Sequence, residues 1–178
     1  MQRRTFFQSL ALPLLFREPA SPGAPRVVRV GADRFGEDIR IGGVSPNHCK
    51  LSSVDTGGAL SVFESSTVGR GGPSYHLHHG QDEWFFVREG EFLFRVDGAD
   101  HRLGPGDSIF APRGIPHTWA HLGDGVGRMV FLLNPAGLME SYFREIGRPG
   151  VRRTPEESRR LSEAHGMTRL GPGIAVDR

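Results

Sequence analysis

Short apolar runs, each closed by a glycine, proline or Asx turn, constrain the fold of this chain more than any other feature. Val27–Val30, Cys49–Val54, Ala59–Glu64, Tyr75–His78, Glu83–Arg88, Glu91–Val96, Ser108–Ala111, His117–His121 and Met129–Leu133 read as strands. Gly57-Gly58, Glu89-Gly90, Asp97-Gly98 and Asp124-Gly125 supply turns between them. The 25 glycines and 13 prolines in 178 residues fit such a layout and do not signal disorder. Many short strands without interleaved helices predict an all-β sandwich or barrel.

The character changes after Pro135. Leu138, Met139, Tyr142, Phe143 and Ile146 stand at helical spacing. Thr154-Pro155-Glu156-Glu157 combines an N-cap residue, proline at the first helical position and a capping-box glutamate, so a second helix runs from there to about His165 and stops at Gly166. The expected organisation is a leader over 1–25, a β-barrel over 26–135 and a helical segment over 136–178 packed on the barrel. In the leader, Arg3-Arg4 precede an apolar run from Phe6 to Phe16 that is too short to span a bilayer as a helix. The layout resembles a twin-arginine export signal and predicts a periplasmic or other extracytoplasmic protein without stable membrane insertion after export; the alternative reading is an amphipathic or disordered leader on a cytoplasmic protein.

The formal net charge is +2 and no dense Lys/Arg stripe occurs, so a nucleic-acid partner is not expected. Cys49 is the single cysteine, which excludes an intrachain disulfide and predicts a buried, inert thiol.

The chemistry concentrates in His76-Leu77-His78-His79-Gly80-Gln81-Asp82-Glu83, answered later by His117. On a strand, His76 and His78 share one face, whereas His79 and Asp82 point away from it. Three imidazoles and the Glu83 carboxylate inside a β-structure suit one divalent transition metal with open coordination positions. Strand parity places Ser74 on the face of His76, Phe85 and Val87 on that of Glu83, and Trp119 and His121 on that of His117. These five residues are the expected pocket wall for a small-molecule substrate. Trp84 and Phe86 then face outward and need cover, from other parts of the chain or from a second subunit.

The same residues carry a family resemblance. His76, His78, Glu83 and Gly90 resemble the first cupin motif, Gly-x5-His-x-His-x4-Glu-x6-Gly, with Arg70 where the leading glycine stands and Gly71-Gly72 beside it. Gly106, Pro112, Gly114 and His117 resemble the second motif, Gly-x5-Pro-x-Gly-x2-His-x3-Asn, with His121 in place of the final asparagine. The resemblance spans roughly residues 47–147. It implies a double-sheet jelly roll, a homodimer, and His76, His78, Glu83 and His117 as ligands of Fe, Mn, Ni, Co, Cu or Zn. The stretches Pro73–His79 and Asn134–Leu138 further resemble small cupins of the quercetin-dioxygenase-like group. That implies a dioxygenase acting on a flavonol- or enediol-like aromatic, with Glu83 as the base. The substituted His121 is open to an acid/base role, a supporting hydrogen bond or a pocket edge. Cupins also include metal-dependent isomerases, hydrolases and non-catalytic binding proteins, so the fold alone does not select the reaction.

Overall fold

The computed structural model describes residues 25–42 and 44–176. Ten strands come first: β1 (Arg40–Ile41), β2 (Ser45–Leu51), β3 (Ser61–Val68), β4 (Tyr75–His78), β5 (Asp82–Glu89), β6 (Phe92–Val96), β7 (Ala99–Leu103), β8 (Ser108–Ala111), β9 (His117–His121) and β10 (Val126–Asn134). Helices α1 (Met139–Ile146) and α2 (Pro155–Ala164) follow, and strand β11 (Met167–Gly171) closes the order. The strands form two antiparallel sheets, a six-stranded one ordered β1-β2-β3-β10-β5-β8 and a five-stranded one ordered β11-β4-β9-β6-β7. Few sequence neighbours pair; β10 returns between β3 and β5, and β9 between β4 and β6. This is the crossed connectivity of the expected jelly roll.

The core lies between the sheets because alternate residues point there. On β5, Glu83, Phe85 and Val87 are buried while Trp84 and Phe86 are half-buried on the outer side. Phe63 stacks on Phe131 at 5.2 Å and meets Phe143 of α1 edge-on at 4.8 Å, which fastens that helix to the six-stranded sheet. On the outer face Trp84 stacks with Phe86 at 6.0 Å and stands opposite Phe110, which is 54% exposed.

The capping box of α2 forms as the sequence predicts. The Thr154 hydroxyl accepts the Glu157 amide at 3.2 Å, and the Glu157 carboxylate accepts the Thr154 amide at 2.7 Å. The Asp97-Gly98 turn also forms, both residues at positive φ, and joins β6 to β7 in a two-residue hairpin.

Two expectations change, and strand β7 has no counterpart among them. Val27–Val30 is not a strand: Val27 and Val30 are 73% and 77% exposed, and the segment is held by Lys50 Nζ donating to the carbonyls of Arg29 and Ala32. The tail is not purely helical, since β11 pairs with β4 and so borders the histidine-bearing strand. Strand β7 has little apolar alternation and exists because the hairpin turn lays it against β6. The expected leader lies, through residue 24, outside the described residues. Among the described residues no helix is long and apolar enough to cross a membrane.

Cys49 is buried, and burial pushes its thiol up to about 12. Because the thiolate is the reactive form, folded protein at pH 8 is expected to resist a disulfide-exchange reagent. Addition of denaturant should release one reactive thiol per chain. Rapid labelling of the native protein would refute the burial.

Candidate metal centre

Strands from both sheets build the site. β4 presents His76 and His78, β9 places His117 directly opposite His76, and β5 delivers Glu83 from the facing sheet. The His76 and His117 ring centroids are 4.7 Å apart, those of His76 and His78 5.2 Å, and those of His78 and His117 5.6 Å. Glu83 Oε2 lies 3.0 Å from His117 Nε2 and 3.3 Å from His78 Nε2. One donor atom from each of the four residues lies within 4.8 Å of all the others. Donors that share an ion at about 2.1 Å stand roughly 3 to 4 Å apart, so a small contraction closes the set on a metal.

The backbone fixes which ring nitrogens face inward. His76 Nδ1 donates to the Ser74 carbonyl at 2.8 Å, and His117 Nδ1 donates to the Ile115 carbonyl at 2.9 Å. In each case the acceptor sits two residues before the histidine. These are the supporting acceptors a metal-binding imidazole needs, and they leave Nε2 for an ion. His78 is fully buried and its Nδ1 has no hydrogen-bond partner.

Burial, reinforced by the neighbouring His117 and His78, pushes His76 down to about 3, so its ring is neutral with a lone pair available at physiological pH. Burial alone would raise the Glu83 carboxyl. Hydrogen bonds from His117 and His78 outweigh it and hold Glu83 well below the usual carboxylate range. Burial likewise acts to lower His117, but the Glu83 carboxylate wins and raises it. A divalent cation would take the place of the His117 contact that Glu83 otherwise makes. The donor set therefore fits a divalent transition metal bound by three imidazoles and one carboxylate.

The cluster opens into a cavity of about 420 Å³, ample for a small organic ligand. Ser74, Phe85 and Trp119 line it as expected. Val87 and His121, expected on the same wall, do not. Val87 pairs with Met129 across β5 and β10 in the packed core. His121 pairs with Phe92, four residues along β9 from the His117–Val96 pair and therefore about 13 Å from the cluster end. Its Nδ1 donates to the Gly69 carbonyl at 2.8 Å, and its ring packs on Phe92 at 5.1 Å. Gly90 and Gly127 wall it in so closely that a Cβ on either would approach the ring to 2.8 and 2.5 Å. Parity was right about its inward direction, but the core closes before the cavity reaches it. His79 turns outward to Thr168 Oγ1 at 2.9 Å, and Asp82 accepts both the backbone amide and the guanidinium of Arg113.

Other cavity residues come from outside the motifs. Asn47 and Ser65 project from β2 and β3, Tyr142 and Phe143 from α1, and Arg169 from β11. Only the helical spacing of Tyr142 and Phe143 was visible beforehand, and it marked a buried face without saying which cavity that face would border.

The chain is similar to known proteins in sequence. Residues 63–133 match the family described as Cupin domain. Protein SchB of Streptomyces halstedii is 34% identical over 104 residues, which is 57% of this chain and 69% of that protein. Quercetin 2,3-dioxygenase of Bacillus subtilis is 35% identical over 74 residues, 42% of this chain but only 21% of that enzyme. The structure of KdgF from Halomonas sp. superposes with a TM-score of 0.47 at 21% identity, covering 51% of this chain and 78% of that one. The chain belongs to the cupin family.

Proposed function

We propose that the protein is a metal-dependent cupin oxidoreductase, a dioxygenase acting on a small aromatic of flavonol or enediol type. The observation that carries this reading is the convergence of His76, His78, Glu83 and His117 beside a cavity whose wall includes Phe85, Trp119, Phe131, Tyr142 and Phe143. Similarity to quercetin 2,3-dioxygenase supports the substrate class, over the short stretch that the two chains share.

Bound there, a divalent Fe, Mn, Ni, Co, Cu or Zn ion would supply a Lewis-acidic centre with open positions for substrate oxygen atoms, and a redox-active one would also engage dioxygen. The chain supplies the rest. Glu83 stands among the three imidazoles on the cavity wall, so its carboxylate is the group placed to accept the proton of a phenolic or enolic hydroxyl. Phe85 and Trp119 present ring surface that holds a flat substrate and keeps water from the reacting end. The outer face bearing Trp84, Phe86 and Phe110 is where we place the expected homodimer contact, and the leader supports the proposal of export.

Oxygen uptake with quercetin, measured on metal-loaded protein and on Glu83→Gln, tests the reading. Wild type should consume oxygen only with metal and substrate together, and the variant should lose most of the rate. Turnover without oxygen would point to an isomerase or hydrolase. Tight binding without product would mark a non-catalytic binding protein.

A further inference from the structure

The cavity contains a polar group that the proposed chemistry does not use. Asn47 projects inward from β2, is 2% exposed, and neither its Nδ2 nor its Oδ1 has a hydrogen-bond partner. Buried amides in native proteins are almost always paired, because an unmatched donor and acceptor both lose their hydration. Ser65 stands opposite Asn47 in the β2–β3 register and adds a hydroxyl to the same wall. A fully enclosed, unpartnered amide facing a cavity is a group placed to meet a ligand.

The sheet register locates it relative to the metal ligands. Asn47 aligns through Ser65 and Met129 with Val87, whereas Glu83 aligns with Leu133 and Ser61. The two rows are four residues apart, about 13 Å along the strands, and β2 is three strands from β5, about 14 Å across the sheet. Inward-pointing side chains shorten that span, yet Asn47 and the metal cluster still occupy opposite ends of the cavity. Phe85, Phe131 and Phe143 line the passage between them. A ligand touching both ends is therefore elongated and flat, with two or three rings.

The amide also defines what the far end of that ligand carries. It offers two N–H donors beside one acceptor oxygen. Its complement is a donor beside an acceptor, such as two vicinal hydroxyls or a hydroxyl next to a carbonyl. A carboxylate would satisfy Nδ2 and leave Oδ1 without a donor. We propose that Asn47 determines specificity, its amide reading a vicinal diol or hydroxy-ketone at the far end of an elongated aromatic ligand whose near end lies at His76, His78, Glu83 and His117. The proposal deepens the function proposed above and rests on it for the aromatic class of the ligand.

Two probes of one ring system isolate the contact: quercetin, which carries a vicinal diol on its far ring, and galangin, which lacks both of those hydroxyls. Affinities are measured on metal-loaded protein without oxygen, by quenching of tryptophan fluorescence, since Trp119 lines the cavity. Wild type should bind quercetin about tenfold or more tightly than galangin, the worth of two hydrogen bonds in a dry site. Asn47→Leu should abolish that preference by weakening quercetin and sparing galangin. The same variant should keep its metal and melt no lower than wild type, because an apolar side chain replaces an unmatched amide; Asn47→Ala provides a second, smaller replacement. Equal affinity of wild type for the two probes, or a loss shared by both in Asn47→Leu, overturns the proposal. The outcome is separable from the dioxygenase reading. Discrimination without oxygen uptake would leave Asn47 as a specificity determinant in a binding protein. Uptake equally fast on both probes in wild type and variant would keep the enzyme and remove the role of Asn47.

Discussion

His117→Ala is expected to lower metal affinity on the order of 100-fold or more, because it removes a ligand and disturbs the positioning of another. His117 is the residue on which the cluster turns. It lies directly across from His76 in the register, 3.0 Å from Glu83, and its Nδ1 is already committed to the Ile115 carbonyl. Its loss takes one of three imidazoles and also strips Glu83 of its shorter hydrogen bond. The buried carboxylate then feels burial with less compensation, so its pKa rises and it becomes a poorer ligand. The measurement is metal content after dialysis, followed by competition with a chelator of known affinity. His121→Ala is the matched control, since His121 is also buried but lies about 13 Å along the same strand. It should lower stability and keep the metal. A His117 variant that retains full occupancy would sink the ligand assignment.

The two histidines show how far the sequence could be read. A period of two is a local property, so His76 and His78 share a face in the structure as their spacing predicts, and β4, β8 and β9 have the expected bounds. Parity reports which side of a sheet a residue faces. It does not report where along the strand the interior stops being open. His117 and His121 have the same parity, but Gly90 and Gly127 let the core close tightly around His121. The loss of side chains at those two positions is visible in the sequence, yet its meaning depends on which strand they oppose. Asn47 was missed for a related reason. It sits in Ser45-Pro46-Asn47-His48, where no apolar run marks a strand, and β3 recruits that segment by pairing. The same holds for β11, whose role beside β4 is set by the turn of chain after α2 rather than by its own pattern. What was legible was thus the half of the site that lies on short, self-declaring strands. The distal wall depends on pairings between segments far apart in sequence.

Phe63→Ala is expected to cost about 3 to 5 kcal/mol of folding stability, the usual range for deleting a buried phenylalanine when the surroundings cannot collapse. Phe63 is 1% exposed and lies at the junction of three elements. It stacks on Phe131 of β10 at 5.2 Å, meets Phe143 of α1 at 4.8 Å, and stands opposite Cys49 of β2. Backbone ladders on both sides of β3 hold the sheet in register, so the void cannot close by strand movement. The helix is the softer partner, and α1 is expected to settle toward the gap. For a chain of this size the loss corresponds to a fall in melting temperature of about 6 to 20 °C. A second effect separates this residue from an ordinary core position. Phe131 and Phe143 line the cavity while Phe63 lies behind them, so their displacement reshapes the wall without removing any group that touches the ligand. Quercetin affinity should therefore fall while metal content stays near that of wild type, because the four donors sit on β4, β5 and β9. Thermal unfolding followed by circular dichroism, together with metal analysis of the same preparation, decides the matter. A melting temperature within about 2 °C of wild type would mean that α1 is not fastened to the sheet through Phe63.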